Sequence, residues 1–538
     1  MAIPSKDAVG IPAWKWWWDE GSAFPDVLMA GILAAAMPNK VAFVTTKDII
    51  VWSAYLARGL EALGFECDAW VLDPGDEASA RETKAFRHVY NLTAGFDRAA
   101  LVSSDALMLE GSALEEYVGE RFLHRDAAGD RTLTGTNFLE LPPIRIADRW
   151  RWHEIVGLAV HIWNKFDLIV GTEAPCALVG EMTLFAQHVI ARLGHARSIV
   201  VIDPFSVAHH PGRLHMSNGL DGSWDKCVEQ YRQYIETGVI PPEHESAARE
   251  VMERIQRADR SRAEYAPVSY YFPRLLDRFG PARVAKVLKM WWESRNEAGS
   301  SLSHKPYAEL VHPVMRLRRK MRRRLLRKDY GRESWRSLPD QEFAVYFLHF
   351  QPEATVEGWA PDYQDQIAVI RNVVASLPGN MVLAVKEHWS QSGRDPSFYR
   401  ELLSIPGVVV LHHTVSPYEA IQKCRVVVSL TGTVTLEAMC LGKPALVFGS
   451  VYYQHFAGVT RVASYLHLNE LLANLDELPV ATSGEAMAAL AARHAASYRG
   501  SWNWGWSPEP DYSLGTETVE SLASVIREMN AGVDGSAR

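Results

Sequence analysis

A short apolar run, Val426 to Leu430, leads straight into Thr431, Gly432 and Thr433, and these lead into a helical pattern that carries Glu437. Two hydroxyls and the first amides of a helix, brought together where a strand ends, favour an anion such as a phosphate, because unpaired N–H groups and the positive dipole end both attract negative charge. The same residues also suit an ordinary threonine-capped helix in an α/β turn. Glu437, in the first helical turn, can accept hydrogen bonds from a ribose or simply complement the dipole. Other polar segments follow apolar runs in the same region: HFQPEA (His349 to Ala354), VKEHW (Val385 to Trp389) and GSVYYQ (Gly449 to Gln454). Lys386, Glu387 and His388 share one strand end, and a charged cluster there is expected to face solvent or a ligand.

Carboxylates that could deprotonate a hydroxyl, or attack as nucleophiles, stand at expected strand ends in the N-terminal half: Glu173 in VGTEAP and Asp203 in VIDPF. Glu173 is preferred, since Asp203 precedes Pro204 and suits a turn. The segment HHPGRLHMSNG, His209 to Gly219, adds His209, His210 and Arg213, which could bind an acceptor or a sugar carboxylate; exposed loop histidines explain the first two equally well. No D-x-D sequence occurs, so nothing suggests a divalent metal on a pyrophosphate, and no metal or cofactor is expected.

The elements that must position these residues read as alternating strands and helices. Residues 41–45 form a strand, 51–63 a helix closed by Gly64, and 65–72 a strand; a second unit has a strand at 166–170, a helix at 178–193 and a strand at 198–202. From Trp224 to about Lys328 the pattern is long and helical, and a polar stretch, 329–341, follows as a linker. Alternation then resumes with strands 343–350, 381–386, 408–411, 426–430 and 444–448, and helices 363–377, 417–423 and 435–441. The fold class expected is α/β, with two doubly wound Rossmann-like domains facing a cleft. The domains would be 1–222 (acceptor side), 223–340 (helical insertion and linker), 341–500 (nucleotide-sugar side) and 501–538, a last helix, 514–529, returning to the first domain.

Composition narrows the function. The 538 residues are 48% hydrophobic and 22% charged, which excludes a disordered or collagen-like chain. The net charge of −8 disfavours a polyanionic partner, so nucleic acid is not expected. The five cysteines form no C-x-x-C pair and suit a reducing, cytoplasmic setting. The apolar run Val27 to Met37 falls short of the roughly 20 residues that span a bilayer and follows acidic residues, so it reads as a core helix rather than a signal peptide. Arg316 to Lys328 carries nine basic residues in 13 positions around an apolar stripe, a pattern suited to an anionic membrane surface or to a solvated bridge. Trp14, Trp16, Trp17 and Trp18, like Trp502, Trp504 and Trp506, are expected to pack against the body.

The blocks HFQPEA, KEHW, GRDPSFY, IPGVVVL, TGTVTLEAMCLGKP and VFGSVYY, in this order, resemble the C-terminal half of the capsule polysaccharide biosynthesis proteins of the Kdo transferase type, which are GT-B glycosyltransferases. The resemblance runs from about Tyr346 to Val459. It implies transfer of a sugar, Kdo, from a CMP-sugar to a glycan or glycolipid acceptor. The donor would be held by the Gln-Pro motif (Gln351, Pro352 and the following Glu353), by Lys386 and His388, and by Thr431, Gly432, Thr433 and Glu437, with catalysis by Glu173, Asp203 or His388. His388 is followed by Trp389 where the family carries proline. A UDP-sugar transferase or epimerase of the same fold, and a noncatalytic glycan-binding member, are the alternatives.

Overall fold

A computed structural model describes residues 39–46, 49–130, 150–257, 339–351, 354–388, 396–411, 415–502 and 512–536, together with Leu133 and Arg394. Pro352, Glu353, Trp389, residues 14–18, Trp504, Trp506 and the basic run 316–328 lie outside them.

The N-terminal sheet contains β1 (Lys40–Val44), β2 (Glu66–Val71), β3 (Val89–Asn91), β4 (Ala177–Val179), β5 (Val200–Ser206) and β6 (Arg213–Ser217). The C-terminal sheet contains β7 (Phe343–Phe347), β8 (Val382–Lys386), β9 (Val408–Leu411), β10 (Val426–Ser429), β11 (Ala445–Val447) and β12 (Val459–Arg461). A short β13 (Tyr498–Arg499) then returns to the first sheet and pairs antiparallel with β6.

Read across the second sheet, the order is β9-β8-β7-β10-β11-β12, all parallel. This is the doubly wound arrangement in which the winding reverses between the first and fourth strands, here β7 and β10. The first sheet repeats the pattern, β3-β2-β1-β4-β5, with its reversal between β1 and β4 and an antiparallel β6-β13 edge. Both sheets are covered on two faces, so their strands read as continuous apolar runs such as Val41–Val44 and Val426–Val428, fully buried. The architecture is that of a GT-B protein, with two Rossmann-like domains facing each other.

Several expected boundaries change. Residues 166–170 are the interior of the helix Trp152–Thr172, whose apolar residues continue the stripe of Ile155, Leu158, Ala159 and Ile162 into the core. This helix alone among the described residues is long and apolar enough to cross a membrane, and 44% of its apolar window is buried against the N-terminal domain. Residues 177–179 form β4, and the helix that follows spans Phe185–Ala196, not 178–193. Gly194 is therefore inside that helix, where a Cβ would press on Leu178 of β4 at 2.8 Å, so its smallness serves packing.

The expected insertion does not begin as a separate unit. The helices Asp225–Thr237 and Pro242–Gln256 bury Cys227, Val228, Tyr231, Ala248 and Val251 in the same cluster as Val345, Val427 and Leu490 of the C-terminal domain. Residues 225–256 thus belong to the core of the C-terminal domain, and the rest of the expected insertion, 258–338, lies outside the described residues. The helix Tyr512–Ser536 lies on the N-terminal domain: Val519 sits against Gly59, and Leu522 and Ile526 join its core beside Trp502.

The two domains meet through backbone as well as side chains. Gly222 N–H donates to Ser450 at 3.1 Å, and Tyr452 N–H donates to Gly222 at 2.7 Å. Phe205 of β5 packs edge-on against Trp359 at 5.3 Å, and His215 of β6 stacks on Trp224 at 4.8 Å.

Candidate functional site

In an open α/β sheet the loops at the reversal point line a crevice, and here those loops follow β7 and β10. His349, two residues past β7, reaches across to the turn after β10. Its Nε2 accepts the Leu430 N–H at 3.1 Å and the Thr431 N–H at 3.4 Å, and lies 3.0 Å from the Ser429 hydroxyl. Backbone amides only donate, so Nε2 carries no proton and the ring is neutral with its hydrogen on Nδ1. Burial, reinforced by His388 and Arg394, pushes this imidazole down to about 3.

The turn differs from expectation in its amides. Those of Thr431 and Gly432 do not point outward: the first goes to His349 and the second to the Ser429 hydroxyl at 3.0 Å. Gly432 is needed for space, since a Cβ there would lie 2.6 Å from Ser429 Oγ and 3.4 Å from His349 Cε1. The hydroxyls are what remain for a ligand. Thr431 Oγ1 is buried and has no hydrogen-bond partner among the described residues. Thr433 stands at the helix start, but its side chain makes no capping bond. Tyr453 fixes the turn from behind by donating to the Thr431 carbonyl at 2.6 Å.

Glu437, in the helix Val434–Cys440, is buried against the other domain. Its Oε1 lies 3.3 Å from His209 Nε2, while Oε2 is buried without a hydrogen-bond partner among the described residues. His209 is held in a left-handed conformation, φ 70°, by the tight loop between β5 and β6.

Of the two expectations for the β8 end, solvent or a ligand, burial removes the first for Lys386 and Glu387. Glu387 is 2% exposed, and burial raises its pKa despite Arg394 at 3.4 Å and a hydrogen bond from Tyr399. Lys386 is also buried and donates to the Glu387 carbonyl at 3.1 Å. His388 is half-buried beside Phe350, and burial together with Arg394 and Lys386 lowers its pKa to about 4. At neutral pH it is therefore a hydrogen-bonding imidazole and not a cation.

Gln351 is occupied inside the protein: its Nε2 donates to Gln364 O at 2.7 Å and its Oε1 accepts from Gln366 at 2.6 Å. Both bonds shape the loop after β7. His210 and Arg213 are likewise drawn inward. His210 Nε2 lies 3.2 Å from Leu490 O, and burial holds its pKa well below the usual histidine range. Arg213 donates to Ser497 Oγ at 2.8 Å and to His494 O at 2.7 Å, tying β6 to the end of the helix Ser483–Ala496. These two residues fasten the domains to each other; acceptor binding by them is not what the geometry shows.

Glu173 requires a correction. With 166–170 helical, it ends a helix instead of a strand, and it pairs with Lys40 and Arg87 at the edge where β1 and β2 begin. That edge is opposite to the cleft. Asp203 stands at the correct edge, one residue beyond the level where Ile202 pairs with Val179. Its Oδ2 accepts the Met182 N–H at 3.2 Å, and Oδ1 is buried without a partner among the described residues. Burial, and then the nearby Glu181, raise its pKa well above the usual carboxylate range. Glu181, which the sequence did not single out, follows β4 and accepts a hydrogen bond from Trp502 Nε1 at 2.6 Å. Its only sequence signal is position, just after a strand at the reversal point of the first sheet. Among the described residues no cluster of histidine, cysteine, aspartate and glutamate could hold a metal ion.

Residues 354–488, a quarter of the chain, match the family model described as capsule polysaccharide biosynthesis protein. No curated protein sequence matches significantly. Among solved structures, KpsC of Thermosulfurimonas dismutans, a beta Kdo 2,7 transferase, is 13% identical over 67% of this chain and 89% of that one, with a TM-score of 0.33. The calicheamicin glycosyltransferase CalG4 is 12% identical over 92% and 98%, with a TM-score of 0.26. The UDP-GlcNAc 2-epimerase of Neisseria meningitidis is 11% identical over 91% and 99%, with a TM-score of 0.22. At such identities and TM-scores these likenesses decide nothing about the chemistry, which must be argued from the site.

Proposed function

With a C-terminal domain of the capsule polysaccharide biosynthesis type as premise, we propose that this chain is a glycosyltransferase that moves a sugar, Kdo, from a CMP-linked donor to a glycan or glycolipid acceptor. The observation that carries the reading is the incomplete bonding at the reversal point: the Thr431 hydroxyl and Glu437 Oε2, in the turn after β10 and the helix that follows it, are buried polar atoms with no partner among the described residues. Such groups cost stability unless a ligand satisfies them, and they differ in what they accept. A hydroxyl can donate to a phosphate oxygen, whereas a carboxylate takes the hydroxyls of a ribose.

In this reading the donor phosphate lies against the hydroxyls of Thr431 and Thr433. His388 donates a hydrogen bond and Lys386 supplies positive charge from the end of β8, stabilising the leaving phosphate as the glycosidic bond breaks. A CMP-sugar has one phosphate to neutralise, and these groups do so without a metal ion. Asp203 and Glu181 provide the carboxyl chemistry on the acceptor side. Burial, and then the charge of Glu181, favour the protonated form of Asp203, while Glu181, which accepts from Trp502 Nε1 at 2.6 Å, is the carboxyl that accepts the acceptor's proton or attacks the sugar. A cytoplasmic location follows from the donor, a cytoplasmic nucleotide sugar.

Purified protein incubated with CMP-Kdo and no acceptor tests this. Slow release of CMP, unaffected by excess EDTA, is expected. Release of UDP from a UDP-sugar, with CMP-Kdo left intact, would replace the proposed donor; absence of any release would leave a binding protein.

A further inference from the structure

We propose that His349 is the positioning residue of the donor site, setting the pose of the threonine turn and thereby the affinity for the nucleotide. The proposal rests on the nucleotide-sugar reading above. It goes beyond that reading by assigning to a residue with no contact to the donor the task of holding the groups that have one.

His349 is where the candidate loops are tied together. Its own amide donates to Gln366 Oε1 at 2.8 Å, and its carbonyl accepts from Gln366 Nε2 at 3.2 Å, the same side chain that grips Gln351. That carbonyl also accepts from Arg394, which is paired with Glu387 at the end of β8. The ring then reaches the turn after β10, 82 residues further along the chain, and accepts the amides of Leu430 and Thr431. One residue thereby joins the loops after β7, β8 and β10.

The ring does more than fill space. Leu430 and Thr431 lie past the last pair of β10 with β7, Val428 with Tyr346, so their amides need an acceptor that the ladder does not supply. With both amides fixed, the backbone that carries the Thr431 side chain is fixed too, and its buried hydroxyl is left without a hydrogen-bond partner among the described residues. Gly432 shows how close this fit is, since any side chain there would collide with the Ser429 hydroxyl and crowd the imidazole. Preorganisation of this kind appears as binding affinity, because the ligand does not have to order the turn itself. Without the acceptor the two amides would rotate toward water, carrying Thr431 with them.

The test compares His349→Phe, which keeps a ring but no acceptor, with His349→Gln, whose side-chain oxygen can reach the same amides. CMP affinity is measured by calorimetry, and donor KM and kcat by CMP release. The Phe variant is expected to bind CMP at least about tenfold more weakly, the weight of one buried hydrogen bond, with the loss in KM and kcat nearly kept. The Gln variant should recover most of it. Should the Phe protein fail to fold, His349→Asn, whose shorter side chain falls away from the amides of Leu430 and Thr431, carries the same test, with CMP binding again about tenfold weaker and no recovery. A folded Phe variant that binds CMP as the parent does, or equal losses in the Phe and Gln variants, would overturn the proposal. A parent protein that binds no nucleotide would instead overturn the nucleotide-sugar reading, and this inference with it.

Discussion

Replacing Thr431 by valine should move stability and ligand affinity in opposite directions. In the structure the Thr431 side chain is buried, its hydroxyl has no partner among the described residues, and its methyl contacts the position where Gly449 would carry a Cβ. A buried hydroxyl without a hydrogen bond costs about 1–3 kcal/mol of desolvation, and valine removes that cost while keeping the branched shape. For a domain of this size, a gain of about 1 kcal/mol raises the melting temperature by roughly 2–4 °C. A hydrogen bond to a phosphate is worth about 1.5–3 kcal/mol, so CMP should bind roughly 10- to 100-fold more weakly. Differential scanning fluorimetry with and without CMP reads both quantities in one experiment: the apo midpoint rises and the CMP-induced shift shrinks. A lower apo midpoint with an unchanged ligand shift would refute the reasoning, because it would mean that the hydroxyl bonds within the protein and not to the donor.

Asp203→Asn should abolish turnover and also change the dependence of stability on pH. The folded-state pKa of Asp203 is raised, so between the unfolded carboxylate pKa, about 3.9, and the higher folded value the native state binds more protons, and stability falls as pH rises. Urea denaturation at a series of pH values should show that fall in the parent and a flatter profile in the asparagine variant; identical profiles would contradict the assignment. Glu173→Gln should leave turnover within about twofold of the parent, since its partners are Lys40 and Arg87 at the far edge of the sheet. A hundredfold loss in the release assay would return catalysis to Glu173.

The C-terminal sheet was largely legible because its strands are buried on both faces and appear as apolar runs bounded by turn residues; β9 and the helix Pro417–Lys423 match their expected limits. The N-terminal domain was harder for a physical reason. Phe166 to Val170 is apolar enough for a strand, yet the run continues a helical stripe begun at Trp152, and β4 has only three residues before a loop and the next helix. That misreading put Glu173 at a strand end and so on the wrong side of the sheet. In the site, the strand-to-threonine turn was readable, but the destination of its amides was not. Their acceptor, His349, is far away in sequence, and a histidine in a polar loop gives no sign of where its lone pair points. Arg213 shows the same limit, since its recruitment by the carbonyls at the end of a helix 281 residues away depends on how the domains dock.

The central claim is that the crevice between β7 and β10 holds the nucleotide of a CMP-sugar. Calorimetric titration of the purified protein with CMP, UDP, GDP and dTDP in the presence of EDTA tests it most directly. The account predicts saturable binding of CMP in preference to the other three, with no need for a metal ion, and weaker binding in Thr431→Val. Preferential binding of UDP that appears only when magnesium or manganese is restored would contradict it and identify a pyrophosphate donor.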